Sequence, residues 1–239
     1  MSGTGQYFRH FLSRTDEKLL VKMDHYMDVY DRELGPWLGR KVSFMEIGVY
    51  RGGSLRMWRD FFAPGSQLTF LDIDPACKAL EIPGTNIRIG DQADVAFMTE
   101  TAAACGPFDM IVDDGGHKMH QQITSFDTLW PYLMDGGIYI VEDTHTSYWP
   151  GFGGGYKASG SFIEFAKGMI DRMHSWYTED DEGFPLHPMA SEIGSIQFHD
   201  SLVLIRKELK DPPVLLSSVN GQVKCSDMIL KLRGRVSVF

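Results

Sequence analysis

The spacing of apolar residues changes its period along the chain. Over residues 15–34 they fall at Leu19, Leu20, Met23, Met27, Tyr30 and Leu34, a three-and-four spacing that predicts one helix with a single apolar stripe. Asp16 and Glu17 in its first turn oppose the positive end of the helix dipole, and Gly35-Pro36 ends it. Beyond it, short apolar runs at 42–47, 68–73, 86–89, 108–112 and 138–141 predict strands. The run at 108–112 is nearly continuous, as expected of a strand buried on both faces. Helical stretches at 54–62, 95–104 and about 120–130, with a short helical or irregular piece at 76–80, separate the strands. Strands alternating with helices predict a doubly wound, parallel α/β sheet.

The C-terminal half departs from that rhythm. Two strand-like runs, 195–199 and 201–207, have almost nothing between them and should pair as an antiparallel hairpin. A mostly parallel sheet that ends this way resembles the Rossmann-like class I methyltransferase fold. A plain dinucleotide-binding dehydrogenase is not expected to end so. Segment 151–160 is glycine-rich and reads as a mobile loop. A helix follows over 162–176, with Phe162, Phe165, Met169, Met173 and Trp176 on one face, a stripe that packing explains. The expected organisation is one domain over 1–239, with an N-terminal helical cap at 1–40, a cofactor-binding core at 41–210 and a C-terminal extension at 211–239.

Composition narrows the function classes. With 239 residues, 43% hydrophobic and 23% charged, the chain reads as an ordinary globular protein able to bury a core without staples. A formal charge of -9 argues against nucleic acid as a partner, since such binding needs a basic face. No apolar run approaches the roughly 20 residues of a membrane span. The first residues lack an apolar core of signal-peptide length. Cys77, Cys105 and Cys225 are scattered and odd in number, which suits a reducing cytoplasm better than a zinc site or disulfide framework.

MEIGVYRGGS, residues 45–54, joins the first strand to the next helix, where a glycine-rich turn lets a ligand approach backbone N–H groups. A dinucleotide fingerprint needs G-x-G-x-x-G, but Tyr50 stands where the middle glycine would be. Glu46-x-Gly48-x-x-x-Gly52 instead resembles the first S-adenosylmethionine (SAM) motif of class I methyltransferases. That resemblance implies a loop around the methionine end of SAM, with Glu46 near its ammonium group and Gly48, Gly52 and Ser54 as cofactor-binding positions. Asp72 ends the second strand 24 residues after Gly48, where a carboxylate meets ribose hydroxyls, a spacing that also suits NAD. Asp91 and Gln92 close the third strand as candidates for the adenine edge.

VDDGGH at 112–117 and VEDTHTSYWPGFGGG at 141–155 both follow buried strands, so Asp113, Asp114, Glu142 and Asp143 gather at one rim of the sheet. Two acidic pairs there repel one another unless a cation offsets them, and oxygen ligands favour a hard divalent ion such as Mg²⁺. Here the likeness becomes specific. The DDGxH block, the Glu-Asp pair and the following YWPGFGG resemble the macrocin and mycinamicin sugar O-methyltransferases, and are similar to the cephalosporin hydroxylase-type proteins of the same superfamily. The resemblance spans roughly residues 40–207. It implies Asp114, Glu142 and Asp143 as metal ligands and His117 as general base. Asp113 is expected to orient a ligand or face the cofactor, and Tyr148, Trp149 and Phe152 to wall the acceptor site.

The reading that results is a SAM- and Mg²⁺-dependent O-methyltransferase acting on a hydroxyl of a natural-product sugar or similar small molecule. It is expected to act in the cytoplasm as a homo-oligomer, without nucleic acid or membrane. The alternatives are a cephalosporin hydroxylase-type tailoring protein working with a partner, an NAD-binding oxidoreductase, and a non-catalytic SAM-binding module.

Overall fold

In the computed structural model, which describes residues 6–14 and 18–227, the core strands carry apolar side chains on both faces. These strands are β1 (Ser43–Ile47), β2 (Gln67–Asp72), β3 (Thr85–Ile89), β4 (Phe108–Asp113) and β5 (Leu133–Val141). With β6 (Ile193–His199) and β7 (Leu202–Lys207) they form one seven-stranded sheet of order β3-β2-β1-β4-β5-β7-β6. The first five pair in parallel, and β7 enters antiparallel between β5 and β6. The mostly parallel sheet with a closing hairpin is therefore the fold that forms. Strand order reverses direction between β1 and β4, and ligands bind in the crevice beyond the carboxyl ends at such a point.

Alternation along each strand builds two cores. Phe44, Val112, Ile140 and Leu204 face one side, where helices α1 (Tyr7–Phe11), α2 (Asp24–Leu34) and α3 (Gly53–Phe61) bring Phe8, Tyr30 and Trp58. Met45, Ile111, Tyr139 and Val203 face the other, covered by α4 (Val95–Cys105), α5 (Met119–Leu129) and α6 (Phe162–His174) through Met98, Phe126 and Phe162. In α6 the predicted stripe does pack: Phe162 and Met169 are buried, and Phe165 and Met173 lie against the same core.

The N-terminal segment differs from the periodic reading. Asp16 and Glu17 lie outside the described residues, residues 18–23 take no regular structure, and the helix begins only at Asp24. Periodicity overran the true start because Leu20 and Met23 meet the apolar core from a segment without regular structure, with Met23 at φ -66, ψ 137. This strap crosses the start of α3 so closely that a Cβ at Gly53 would stand 2.4 Å from the Leu19 carbonyl oxygen. Short helix α1 carried no signal of its own. Asp31 on α2 holds it by accepting from the Phe8 and Arg9 N–H groups at 2.8 and 3.2 Å.

Two further differences concern loops. The glycine-rich 151–160 segment is tied to the turn before it, with the Gly154 and Gly155 N–H groups bonded to the Trp149 and Ser147 carbonyls. Beyond the sheet, β8 (Val214–Val219) and β9 (Gln222–Asp227) form a separate two-stranded hairpin, which the expected C-terminal extension did not specify. Among the described residues no helix is long and apolar enough to cross a membrane.

Candidate active site

Strands β1, β4 and β5 end in register, with Ile47 beside Asp113 and Asp113 beside Val141. Pairing runs one residue further, since Asp114 N–H bonds to Ile47 and Glu142 N–H to Asp113. Gly48, Asp114 and Glu142 therefore stand in a row at the carboxyl rim. Gly48 has φ +100, and a Cβ there would lie 2.1 Å from the Asp114 carbonyl oxygen, so only glycine lets these two strand ends approach.

The parity of each strand then sorts the acids. Glu46, Asp114 and Glu142 fall on the same side as Phe44, Val112 and Ile140, facing α2 and the strap. Lys22 of the strap reaches them there. Its Nζ lies 2.6 Å from Asp114 Oδ2, 2.6 Å from Glu142 Oε1 and 3.8 Å from Glu46 Oε1. Tyr30 on α2 donates to the same Glu142 oxygen. Burial would favour loss of the Lys22 proton, but the facing carboxylates of Asp114, Glu142 and Glu46 hold its pKa well above the ordinary value. Burial pushes Glu46, Asp114 and Glu142 each up to about 7, with Lys22 opposing the rise in all three.

A second group faces outward. Asp143 leaves the strand with φ 54, a left-handed conformation that turns its carboxylate toward His117. His117 also has a positive φ, and its Nε2 lies 3.5 Å from Asp143 Oδ2 and 3.9 Å from Asp114 Oδ1. Ligand atoms of Asp114, His117 and Asp143 all lie within 4.8 Å of one another, as do those of Glu46, Asp114 and Glu142. Asp114 is thus shared. The expected trio of Asp114, Glu142 and Asp143 is split, with Glu142 turned to Lys22 and Asp143 turned out. Tyr26, four residues before Tyr30 on α2, places its hydroxyl 2.8 Å from Asp143 Oδ1. The Thr146 hydroxyl donates to the His117 carbonyl at 3.0 Å, holding that residue's main chain from behind.

Two cavities meet at these residues. One of about 350 Å³ is lined by Gly48, Asp72, Asp91, Gln92, Asp114 and Gly115, together with neighbours from β2 and its loop. The other, about 280 Å³, is lined by Leu19, Val21, Ser54, Asp114, His117 and Asp143, with further residues of the strap and glycine loop. Gly48, Tyr50, Asp114 and Gly115 line both, so the cavities adjoin. Such a pair suits a cofactor beside an acceptor.

Several expected positions serve the frame instead. Asp72 does line the first cavity, but it also accepts from the Val49, Tyr50 and Asp74 N–H groups. Burial would raise its pKa, yet those backbone bonds outweigh it and hold Asp72 below the usual carboxylate range. Gln92 is buried with its amide bonded to Asp113, Ser125 and the Gly116 N–H, which leaves its tip little capacity for an adenine. Asp113, of opposite parity to Asp114, is fully buried beneath the cavity in that same network and faces no cofactor space. Burial pushes its carboxyl upward. Asp91 lines the cavity while accepting from Ala93 N–H. Glu46 is fully buried and bonded to Ser54 and Trp58, so it reaches neither cavity. Gly52 opens α3 and lines a separate hollow with Lys18, Arg56 and Arg59. Tyr148 and Trp149 are half exposed and, like Phe152, line neither of the two cavities. Trp149 packs edge-on against His145, whose Nδ1 lies 4.0 Å from Asp143.

Comparison with known proteins gives a consistent picture. A family model described as a methyltransferase domain matches residues 45–144. The 8-demethyl-8-alpha-L-rhamnosyl tetracenomycin-C 2'-O-methyltransferase of Streptomyces olivaceus is 36% identical over 191 residues, 76% of this chain and 50% of its own. Demethylmacrocin O-methyltransferase of Streptomyces fradiae is 36% identical over 189 residues, 74% of this chain and 47% of its own. Among solved structures, the MycE methyltransferase of the mycinamycin biosynthetic pathway, in complex with Mg and SAH, superposes with a TM-score of 0.76 at 29% identity. That alignment covers 87% of this chain and 54% of MycE. The chain spans about half the length of the curated relatives it matches.

Proposed function

Since the chain belongs to the class I methyltransferases, in the group of the macrocin, mycinamicin and tetracenomycin sugar O-methyltransferases, we propose that it methylates a hydroxyl of a glycosylated small molecule. SAM is the donor in this reading, and Mg²⁺ or a similar divalent cation is bound at the acid cluster. The observation that carries it is the convergence of Asp114, His117 and Asp143 on a cavity that adjoins the glycine-loop cavity.

The donor set fits a hard cation. It is rich in carboxylate oxygens, and the cluster already accommodates a positive charge in the Lys22 ammonium. Asp114 and Asp143 are the residues of the open side that would hold the ion, with Glu142 behind them. When bound, SAM supplies an electrophilic methyl group and the ion a positive charge that makes a nearby hydroxyl more acidic. Glycine-loop residues and Asp72 hold the donor side. His117 Nε2, facing the acceptor cavity, takes the hydroxyl proton as the oxygen attacks, and Asp143 beside it stabilises the resulting imidazolium. Its partial exposure then lets that proton pass to solvent.

The assay that tests this offers isotopically labelled SAM and a panel of deoxysugar glycosides to the purified protein. Label on a sugar hydroxyl is the expected outcome, and no transfer to any hydroxylated acceptor would count against it. The match to a methyltransferase domain gives no support to the oxidoreductase alternative. A homo-oligomer in a reducing cytoplasm is part of the same reading, supported by three unpaired cysteines and by exposed Val214, Leu216 and Val223 on the terminal hairpin.

The pH dependence follows from the buried carboxylates. Glu46, Asp114 and Glu142 near 7 in the fold, against about 4 in an unfolded chain, bind protons the unfolded chain has lost. Their contribution to metal-free stability is full below about pH 4 and is lost as pH rises through 7. A divalent ion needs the deprotonated forms. The gain in melting temperature on adding Mg²⁺ should therefore grow between pH 5.5 and 8, with affinity rising up to about tenfold per unit for each proton displaced. A Mg²⁺ gain that is flat across that range in differential scanning fluorimetry would contradict it.

A further inference from the structure

The cavity beside His117 has two kinds of wall. Asp114, His117 and Asp143 bring polar groups to it from the rim, and the strap brings Leu19 and Val21. Burial alternates along the strap. Leu20 and Lys22 also touch the cavity, but Leu20 packs against the apolar core and the Lys22 side chain is only 3% exposed. Leu19 and Val21 between them are 58% and 63% exposed. The main chain at Leu19 is seated on Gly53 at contact distance, so the two side chains project from a closely packed edge. A single exposed leucine or valine needs no explanation. Two that line one cavity form an apolar surface that folding leaves uncovered, and such surfaces belong to ligand sites. Neither residue lines the neighbouring glycine-loop cavity.

We propose that Leu19 and Val21 are specificity-determining residues that bind an apolar aglycone, the group attached to the sugar whose hydroxyl is methylated. Being more than half exposed while lining the cavity, they stand at its mouth, where the part of the acceptor beyond the sugar emerges. Contact there removes apolar area from water on both partners and involves no group that reacts. It therefore acts on acceptor affinity and leaves the chemical step alone. The inference rests on the glycoside reading given above, and it adds that the aglycone is recognised by the strap.

The test compares wild type with the double variant Leu19→Asn/Val21→Thr, in which both side chains keep their approximate size and become polar. The acceptors are methyl and octyl α-L-rhamnoside, with methyl α-L-mannoside, which adds one hydroxyl at C6. Wild type should favour the octyl over the methyl rhamnoside at least about tenfold in kcat/KM, the scale of burying about two methylene groups. In the double variant that preference should fall to within about threefold, through KM and with kcat kept. Affinity for S-adenosylhomocysteine and melting temperature should match wild type, since both residues are exposed and neither lines the other cavity. A preference that survives the double change overturns the proposal. So does a variant altered only in its choice between rhamnoside and mannoside, which would put the deoxy edge of the sugar at the strap. Should the double variant fail to fold, the isosteric Val21→Thr alone should lower the octyl preference at least about twofold, and no change in it overturns the proposal. A wild type that transfers label to no glycoside counts against the glycoside reading itself. Calorimetry with octyl rhamnoside then decides the strap's part: tighter binding to wild type than to the variant upholds it, and equal binding overturns it.

Discussion

Replacing His117 with alanine should lower methyl transfer by about 10²–10⁴-fold, the usual contribution of a positioned general base. SAM binding should be unchanged, because His117 lines the acceptor cavity and not the neighbouring one. The fold should also tolerate the change. His117 Nδ1 has no hydrogen-bond partner among the described residues, and the hydrogen bond it receives from Thr146 is made to its main chain. Calorimetry with S-adenosylhomocysteine alongside turnover separates the two effects. Full activity in His117→Ala would remove the base assignment, and unchanged behaviour in every assay would favour a non-catalytic binding module.

An equally large loss is expected from Asp114→Asn, for a different reason. Asp114 belongs to both acid groups and lines both cavities, so in the proposed reaction it would couple the cation to the donor and acceptor spaces. Without its charge, transfer should fall on the order of 10³-fold, the scale of several kcal/mol of metal-assisted charge stabilisation. Mn²⁺ binding should weaken with it. Metal-free stability should change little, since Lys22 would still face Glu142 and Glu46 while one repulsive partner is gone. This combination of lost function and retained melting temperature marks a functional charge, whereas a purely structural Asp114 would lose stability first.

Much of the frame was legible because it rests on period. Strands with near-continuous apolar runs, helices between them and the terminal hairpin all carry one local signal each, and the sheet follows from them. The order of the rim acids was also present in the sequence, though adjacency concealed it. Asp113 and Asp114 are neighbours, so in a strand they must point to opposite faces, and only Asp114 can share a face with Glu142, which follows Ile140 by two. Parity alone would have sent Asp113 to Gln92 and Ser125, where it lies. Glu46 shares the parity of Phe44, which sends it inward to Trp58 and Lys22 and away from both cavities.

Other parts could not be read locally. Asp143 should by alternation face away from Asp114's cluster, and it rejoins the site only through its left-handed backbone, a conformation that no pattern of apolar residues announces. Lys22 was hidden inside a helical period because Leu20 and Met23 pack on the core whether or not the chain is coiled. Tyr26 and Tyr30, four apart on α2, looked like part of an apolar stripe. Their rings are buried, but their hydroxyls reach Asp143 and Glu142 across 117 and 112 residues of sequence. Long-range pairing of this kind is set by topology, and it was the charge imbalance of the rim that signalled a missing partner.

In the proposed reaction the acid rim at Asp114, Glu142 and Asp143 works through a divalent cation during transfer to a hydroxyl. This is tested most directly by measuring label transfer from SAM to a glycoside acceptor after complete chelation with EDTA, and again after Mg²⁺ is restored. Transfer that falls to background without the ion and returns with Mg²⁺ is the predicted result, and transfer that persists undiminished in EDTA would contradict it.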